Sequence, residues 1–267
     1  MPGPTIDRMT TRTANALHLT NLQGLWNRSL IAWPDGRRDE TTAVHWLQGP
    51  SLYIDLRQPA ARPDFTDTRL LTEVTDGQLA WLVRQEGFAG RLRFADGWFE
   101  WGREIDFQPQ AIYSDCGQLR FEADYMIEVG RDIPYIEHWY RAAVGDATQT
   151  VALRLRAPDG RKASLVRTGE VFMLAVDRAV ALPNLPDLHA CVAAAGTREE
   201  QLALVDCELS VGRVGPHAWR IEHSSLPWRE GLVFKLRCDG RHITLVDACT
   251  RRFDVLDAEG EPALLNG

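Results

Sequence analysis

The hydrophobic pattern along this chain repeats every second residue rather than about every 3.6, and that narrows the fold more than any other feature. Runs rich in Val, Ile, Leu, Trp, Tyr and Phe recur about every ten residues. They predict strands over 25–33, 42–48, 52–57, 91–95, 98–105, 118–123, 125–129 and 135–143. A second series follows over 151–156, 163–167, 171–176, 202–214, 219–224, 232–238, 243–247 and 252–256. Pro34-Asp35-Gly36, Asp96-Gly97, Pro158-Asp159-Gly160 and Asp239-Gly240 lie between them, with the residue types that tight turns require. That spacing predicts an all-β fold, a sandwich or antiparallel barrels, one or two, with short covering helices.

Two stretches depart from the period. In 76–86, Leu79, Leu82 and Val83 fall at helical spacing after an acidic start, with Gly87 as the stop. In 186–195, Leu188, Cys191 and Val192 do the same. Both are expected as short helices over barrel openings. The chain divides into a flexible segment 1–20, a first barrel 21–148 and a second, smaller barrel 149–267. A break at the 183–195 stretch is the alternative.

The 267 residues are 45% hydrophobic and 25% charged, an ordinary globular balance that excludes disorder. The net charge of −7 argues against a nucleic-acid surface and against a polybasic membrane patch. Five widely spaced cysteines, Cys116, Cys191, Cys207, Cys238 and Cys249, give neither a disulfide framework nor a zinc knuckle. The N-terminal stretch has no apolar signal core, and no run approaches the ~18 apolar residues of a membrane span. A reduced, cytoplasmic protein with no membrane partner is expected. Cys207 and Cys238 are expected as small core residues. Of the 30 cations only Lys162 and Lys235 are lysine, and nine residues are Trp.

Several strands place charge on the same face as aromatics. Tyr53, Asp55 and Arg57 alternate with Leu52, Ile54 and Leu56. Tyr135, Glu137, Trp139 and Arg141 form one face of their strand, Trp26 lies with Arg28, and Phe99 and Trp101 lie with Arg103. Such faces suit a ligand cavity with aromatic walls, in which arginine grips an anionic head group. A solvated outer face with cross-strand ion pairs is the alternative. The candidate ligand-binding residues are Trp26, Tyr53, Arg57, Glu137, Trp139 and Arg141. Trp26, Tyr53 and Trp139 would form the walls, and Arg57 with Arg141 would hold a small apolar or aromatic anion.

Three stretches together resemble a known group. They are Gly24 and Trp26, as in the G-x-W opening strand of lipocalin-type barrels; 44–57 with Pro59, Arg62 and Pro63; and the series Ser114, Asp115, Gly117, Phe121, Ile127, Glu128, Gly130, Tyr135, Glu137, Trp139, Arg141. They resemble an uncharacterised bacterial family with a lipocalin-like, calycin-type fold. More distantly, the chain is similar to a fungal protein of unknown function built from two such barrels. The resemblance implies a fold from about residue 20 onward, and no activity.

No phosphate-binding loop, dinucleotide fingerprint or nucleophile elbow is present. The seven histidines lack metal-helix spacing, and no cofactor or metal is expected. A second function class is a lyase, isomerase or hydratase using Asp55, Glu137 or His45 in a dry interior; a cavity carboxylate without an arginine partner would favour it. A third is an interaction module with filled barrels and an exposed apolar patch.

Overall fold

A computed structural model describes residues 18–247 and 250–266. Cys249 and most of the 1–20 segment lie outside the described residues. The molecule is mostly β, built from two closed antiparallel eight-stranded barrels with a few short helices.

The first barrel comprises β1 (Gly24–Ala32), β3 (Ala43–Gln48), β4 (Leu52–Gln58), β5 (Glu86–Ala95), β6 (Trp98–Asp106), β7 (Cys116–Phe121), β8 (Met126–Gly130) and β9 (Ile136–Arg141). The short β2 (Arg38–Asp39) pairs with the end of β1, and pairing of β9 with β1 closes the ring. The second barrel comprises β10 (Thr150–Arg156), β11 (Lys162–Thr168), β12 (Val171–Val176), β13 (Glu208–Val214), β14 (Trp219–Ser224), β15 (Val233–Cys238), β16 (His242–Val246) and β17 (Arg251–Gly260). It closes through β10 and β17. All neighbours in both rings are antiparallel, as short connections between consecutive strands require.

Each barrel has its own interior, and a third apolar cluster joins the two. Leu52, Ile54 and Leu56 point out of the first barrel and pack with Ala152, Val166, Met173, Leu209 and Val211 from the outer face of the second. Strand β4 is therefore buried on both sides, which is why both of its parities avoid water. Gly87 permits the contact: a Cβ there would lie 2.7 Å from both the Asp55 carbonyl oxygen and Leu209 Cδ1. Polar groups edge the seam. Arg91 and Ser51 of the first barrel bind Glu259 of the second, and Arg178 donates to the carbonyls of Asp106 and Phe107.

The structure corrects the expected elements in three places. Helices α2 (Asp76–Leu82) and α3 (Leu188–Ala194) form close to where helical spacing predicts them, yet they pack into the seam rather than over openings. One end of the first barrel is instead covered by α1 (Leu19–Leu22), whose Leu22 is fully buried in the aromatic interior. One end of the second is plugged by the 3₁₀ turn Pro262–Asn266, whose Leu265 is fully buried against the core strands. The stretch predicted as one strand over 202–214 splits into α4 (Arg198–Val205) and β13, because Thr197 and Glu200 form a capping box that starts a helix. Gly87 does not end a helix but lies within β5, which runs well ahead of the predicted 91–95. Among the described residues no helix is long and apolar enough to cross a membrane.

Candidate functional site

Strand alternation sends Trp26, Trp46, Tyr53, Phe99, Trp101 and Trp139 into the first barrel, where all are buried and pack mostly edge to face. Toward the end away from α1 the same parities deliver charge. Arg28 on β1, Asp55 and Arg57 on β4, Arg103 on β6, Glu128 on β8 and Glu137 on β9 converge there, joined by Asp115 and Tyr135 from the connections.

The pairing within this end is specific. Arg28 Nη1 lies 2.5 Å from Glu137 Oε1, and Arg57 Nε donates to Asp55 Oδ1 at 2.8 Å. Arg57 Nη1 also stands 3.9 Å from Glu137. Arg103 bridges Asp106 and Asp115, and its guanidinium lies 3.7 Å from the centre of the Phe88 ring, with Arg57 at 4.9 Å from the same ring. Burying ions costs several kcal/mol each unless they are paired and hydrogen-bonded, so this close pairing is what permits them here.

Glu128 is the exception. Among the described residues no arginine lies within salt-bridge distance; its carboxyl meets the Tyr135 hydroxyl at 2.6 Å and the Trp139 indole N–H at 3.1 Å. Burial, then the nearby Glu137 carboxylate, push it well above the ordinary carboxylate range. The Tyr135 hydroxyl is pushed up for the same reasons, burial first and Glu128 second. Burial also raises Asp55 and Glu137, with Arg57 opposing most strongly in both cases.

Of the six expected ligand-binding residues, the barrel brings Trp26, Tyr53, Arg57, Glu137 and Trp139 to one interior. Arg141 lies apart from these, at the opposite, α1-covered end, donating to the carbonyls of Asn21 and Gln23 and lying 4.4 Å from the Trp26 ring centre. It is too far along the strands to share a head group with Arg57. Asp55 and Glu137 are both arginine-paired. His45 faces outward from β3, where its Nδ1 meets Asn27 and its ring stacks on His223 of the second barrel at 5.2 Å. That position takes it out of any interior acid–base role. The residue missed by sequence reasoning is Glu128, although Met126 and Glu128 carry the same mixed alternation as the other strands. Cys207 is buried and pushed up to about 12 by that burial, as an inert core thiol would be. Trp228 packs against the seam.

No family model matches the chain, and no curated protein does either. Among solved structures, it is similar to an uncharacterised protein of Saccharomyces cerevisiae, YLR301w, with a TM-score of 0.51 and 11% identity. The match covers 88% of this chain and 98% of the yeast one, so the likeness spans both barrels and concerns the fold alone.

The open end of the second barrel is the other polar concentration. A cavity of about 310 Å³ there is lined by Arg161, Asp206, Glu208, Arg229, Arg251 and the apolar Val176, Leu226 and Phe253, among others. Among the described residues no three His, Cys, Asp or Glu side chains come together as metal ligands in either barrel.

Proposed function

We propose that this protein binds a small ligand with an apolar or aromatic body and an anionic group, at the polar end of the first barrel. The observation that carries the reading is the state of Arg57. Its side chain is 16% exposed, and among the described residues its only side-chain hydrogen bond is the one through Nε. The Nη groups therefore remain as donors at the barrel mouth, while Phe88, held between two guanidinium groups, supplies an aromatic wall. A cleft of about 490 Å³ lies beside Arg103 and Asp115, but neither Arg57 nor Phe88 lines it, so the ligand reaches Arg57 from the barrel mouth itself. The aromatic interior beyond is packed, so the ligand stays at the mouth and does not enter as deep as Trp26.

The test is titration of the full chain with anilinonaphthalene sulfonate, read as saturable quenching of tryptophan fluorescence. Arg57→Gln and Arg57→Lys should each weaken binding about tenfold, because lysine keeps the charge but loses the planar fork. Absence of saturable quenching, or affinities unchanged in both variants, would reject the assignment.

A second reading rests on Glu128, a buried carboxyl without a cation partner among the described residues, pushed well above the ordinary carboxylate range by its burial. Such a group is a general acid awaiting a substrate. Exchange of solvent deuterium into a bound carbonyl probe, abolished in Glu128→Gln, would support this reading.

A further inference from the structure

The second barrel closes differently at its two ends. Leu265 plugs one, and at the other the Arg251–Glu208 ion pair spans the lumen. Arg251 projects inward from β17 and Glu208 inward from β13, strands that stand opposite each other in the ring. Arg251 Nη1 meets Glu208 Oε2 at 2.7 Å. Ser210 Oγ donates to the other carboxylate oxygen at 3.1 Å, and Arg229 Nε stands 3.6 Å from Oε2. Glu208 is thus fully engaged, and its arginines, Arg251 more than Arg229, hold it below the ordinary carboxylate range in spite of its burial.

The guanidinium groups are not fully engaged. Arg251 Nε and Nη2 are buried with no hydrogen-bond partner among the described residues. These two nitrogens form one edge of the planar group, the edge that takes a carboxylate through two parallel bonds. Arg229, a quarter exposed, makes no side-chain hydrogen bond among the described residues. Arg161 lies on the same wall, spending Nε on Asp159. Around them is the cavity of about 310 Å³, with Ala157, Pro158, Val176, Leu226 and Phe253 as its apolar lining.

We infer that the open end of the second barrel is a binding site for a small organic carboxylate, received by Arg229 and the unpaired edge of Arg251. Glu208 acts as the positioning residue that fixes the Arg251 plane across the lumen. The apolar lining takes the body of the ligand, and the cavity sits at the lower bound of small-molecule sites, which limits that body to about the size of one ring or a short chain. The site is separate from the polar end of the first barrel and involves none of its residues.

Benzoate and hexanoate are the probes, titrated calorimetrically into the full chain while the methyl resonances of Val176 and Leu226 are followed. Saturable binding with shifts at both methyl-bearing residues is expected. Arg229→Gln leaves the 2.7 Å Arg251–Glu208 hydrogen bond intact and removes only the longer 3.6 Å contact, so it should lower the melting temperature slightly and still weaken both probes about tenfold. Arg251→Gln should abolish binding, but it leaves Glu208 with less compensation and is interpreted only with its melting temperature in hand. Anilinonaphthalene sulfonate quenching should be the same in Arg229→Gln as in the parent, which keeps the two sites distinguishable. No saturable binding of either probe, or an Arg229→Gln affinity within twofold of the parent, would overturn the inference.

Discussion

Glu128 shows how one side chain sets the electrostatics of a barrel interior. The polar end of the first barrel gathers the carboxylates of Asp55, Asp115, Glu128 and Glu137 around Arg28, Arg57 and Arg103, and only Glu128 lacks a cation. Burial, and then the nearby Glu137 carboxylate, favour a proton on it. The folded chain then holds a proton that the unfolded chain releases above its ordinary value of 4.5. Stability from that proton is complete below this value and declines as pH rises toward the raised folded value. Glu128→Gln keeps the shape and the two polar contacts but carries no titrating group. Its denaturation midpoint should therefore fall less than the parent's between about pH 5 and pH 8. Parallel pH curves for the two proteins would show that Glu128 is ionised in the fold. The mixed parity of Tyr53, Asp55 and Arg57 and of Glu137 and Trp139 was legible in the sequence, because alternation alone decides which residues share a face. That Arg57 meets Glu137 was not, since β4 and β9 come together only on closure of the ring.

At the scale of elements, the strands were legible where turn residues bounded them and less so where glycine lay inside them. Gly87, placed as a stop after the helical spacing of 76–86, hid the first half of β5, although it and Gly90 each serve a close backbone approach: Gly90 has its Cβ position against the Gly102 carbonyl. Helix α4 was hidden by a different coincidence. Val205, Cys207, Leu209 and Val211 form one apolar parity that runs from the helix end into β13, and only the Thr197–Glu200 capping box marks the helix. The end plugs left still less trace, because a single turn has no period to detect. Leu265 is nonetheless fully buried among the side chains that fill the second barrel. Leu265→Ala should cost about 2–4 kcal/mol in chemical denaturation, the range for a core leucine truncated where the site relaxes little. A loss below about 0.5 kcal/mol would mean that the plug is peripheral, as for an ordinary surface substitution.

The whole molecule is held together by the seam, and the seam contains a titrating contact. Leu52, Ile54 and Leu56 were visible as one apolar parity of β4, but a single sequence does not say that their partner is the outside of a second barrel. At the edge of that contact His45 of β3 stacks on His223 of β14, with the rings 12° from parallel. Burial, and secondarily the facing His223, lower His45 from its ordinary 6.5 to about 4. Being depressed, this group favours the folded state fully above 6.5, and that contribution is lost as pH falls from 6.5 toward about 4. Acid should therefore loosen the junction between barrels over that range. His45→Phe keeps a ring in the stack and removes the titration; it also leaves the Asn27 side-chain oxygen without its present partner. That second effect lowers stability equally at all pH values, so the slope and not the absolute melting temperature is diagnostic. The parent should lose melting temperature steadily from about pH 6.5 down to about pH 4.5, and His45→Phe should follow a visibly shallower line over the same range. If both proteins descend with the same slope, the acid sensitivity of the seam lies in groups other than the His45–His223 stack.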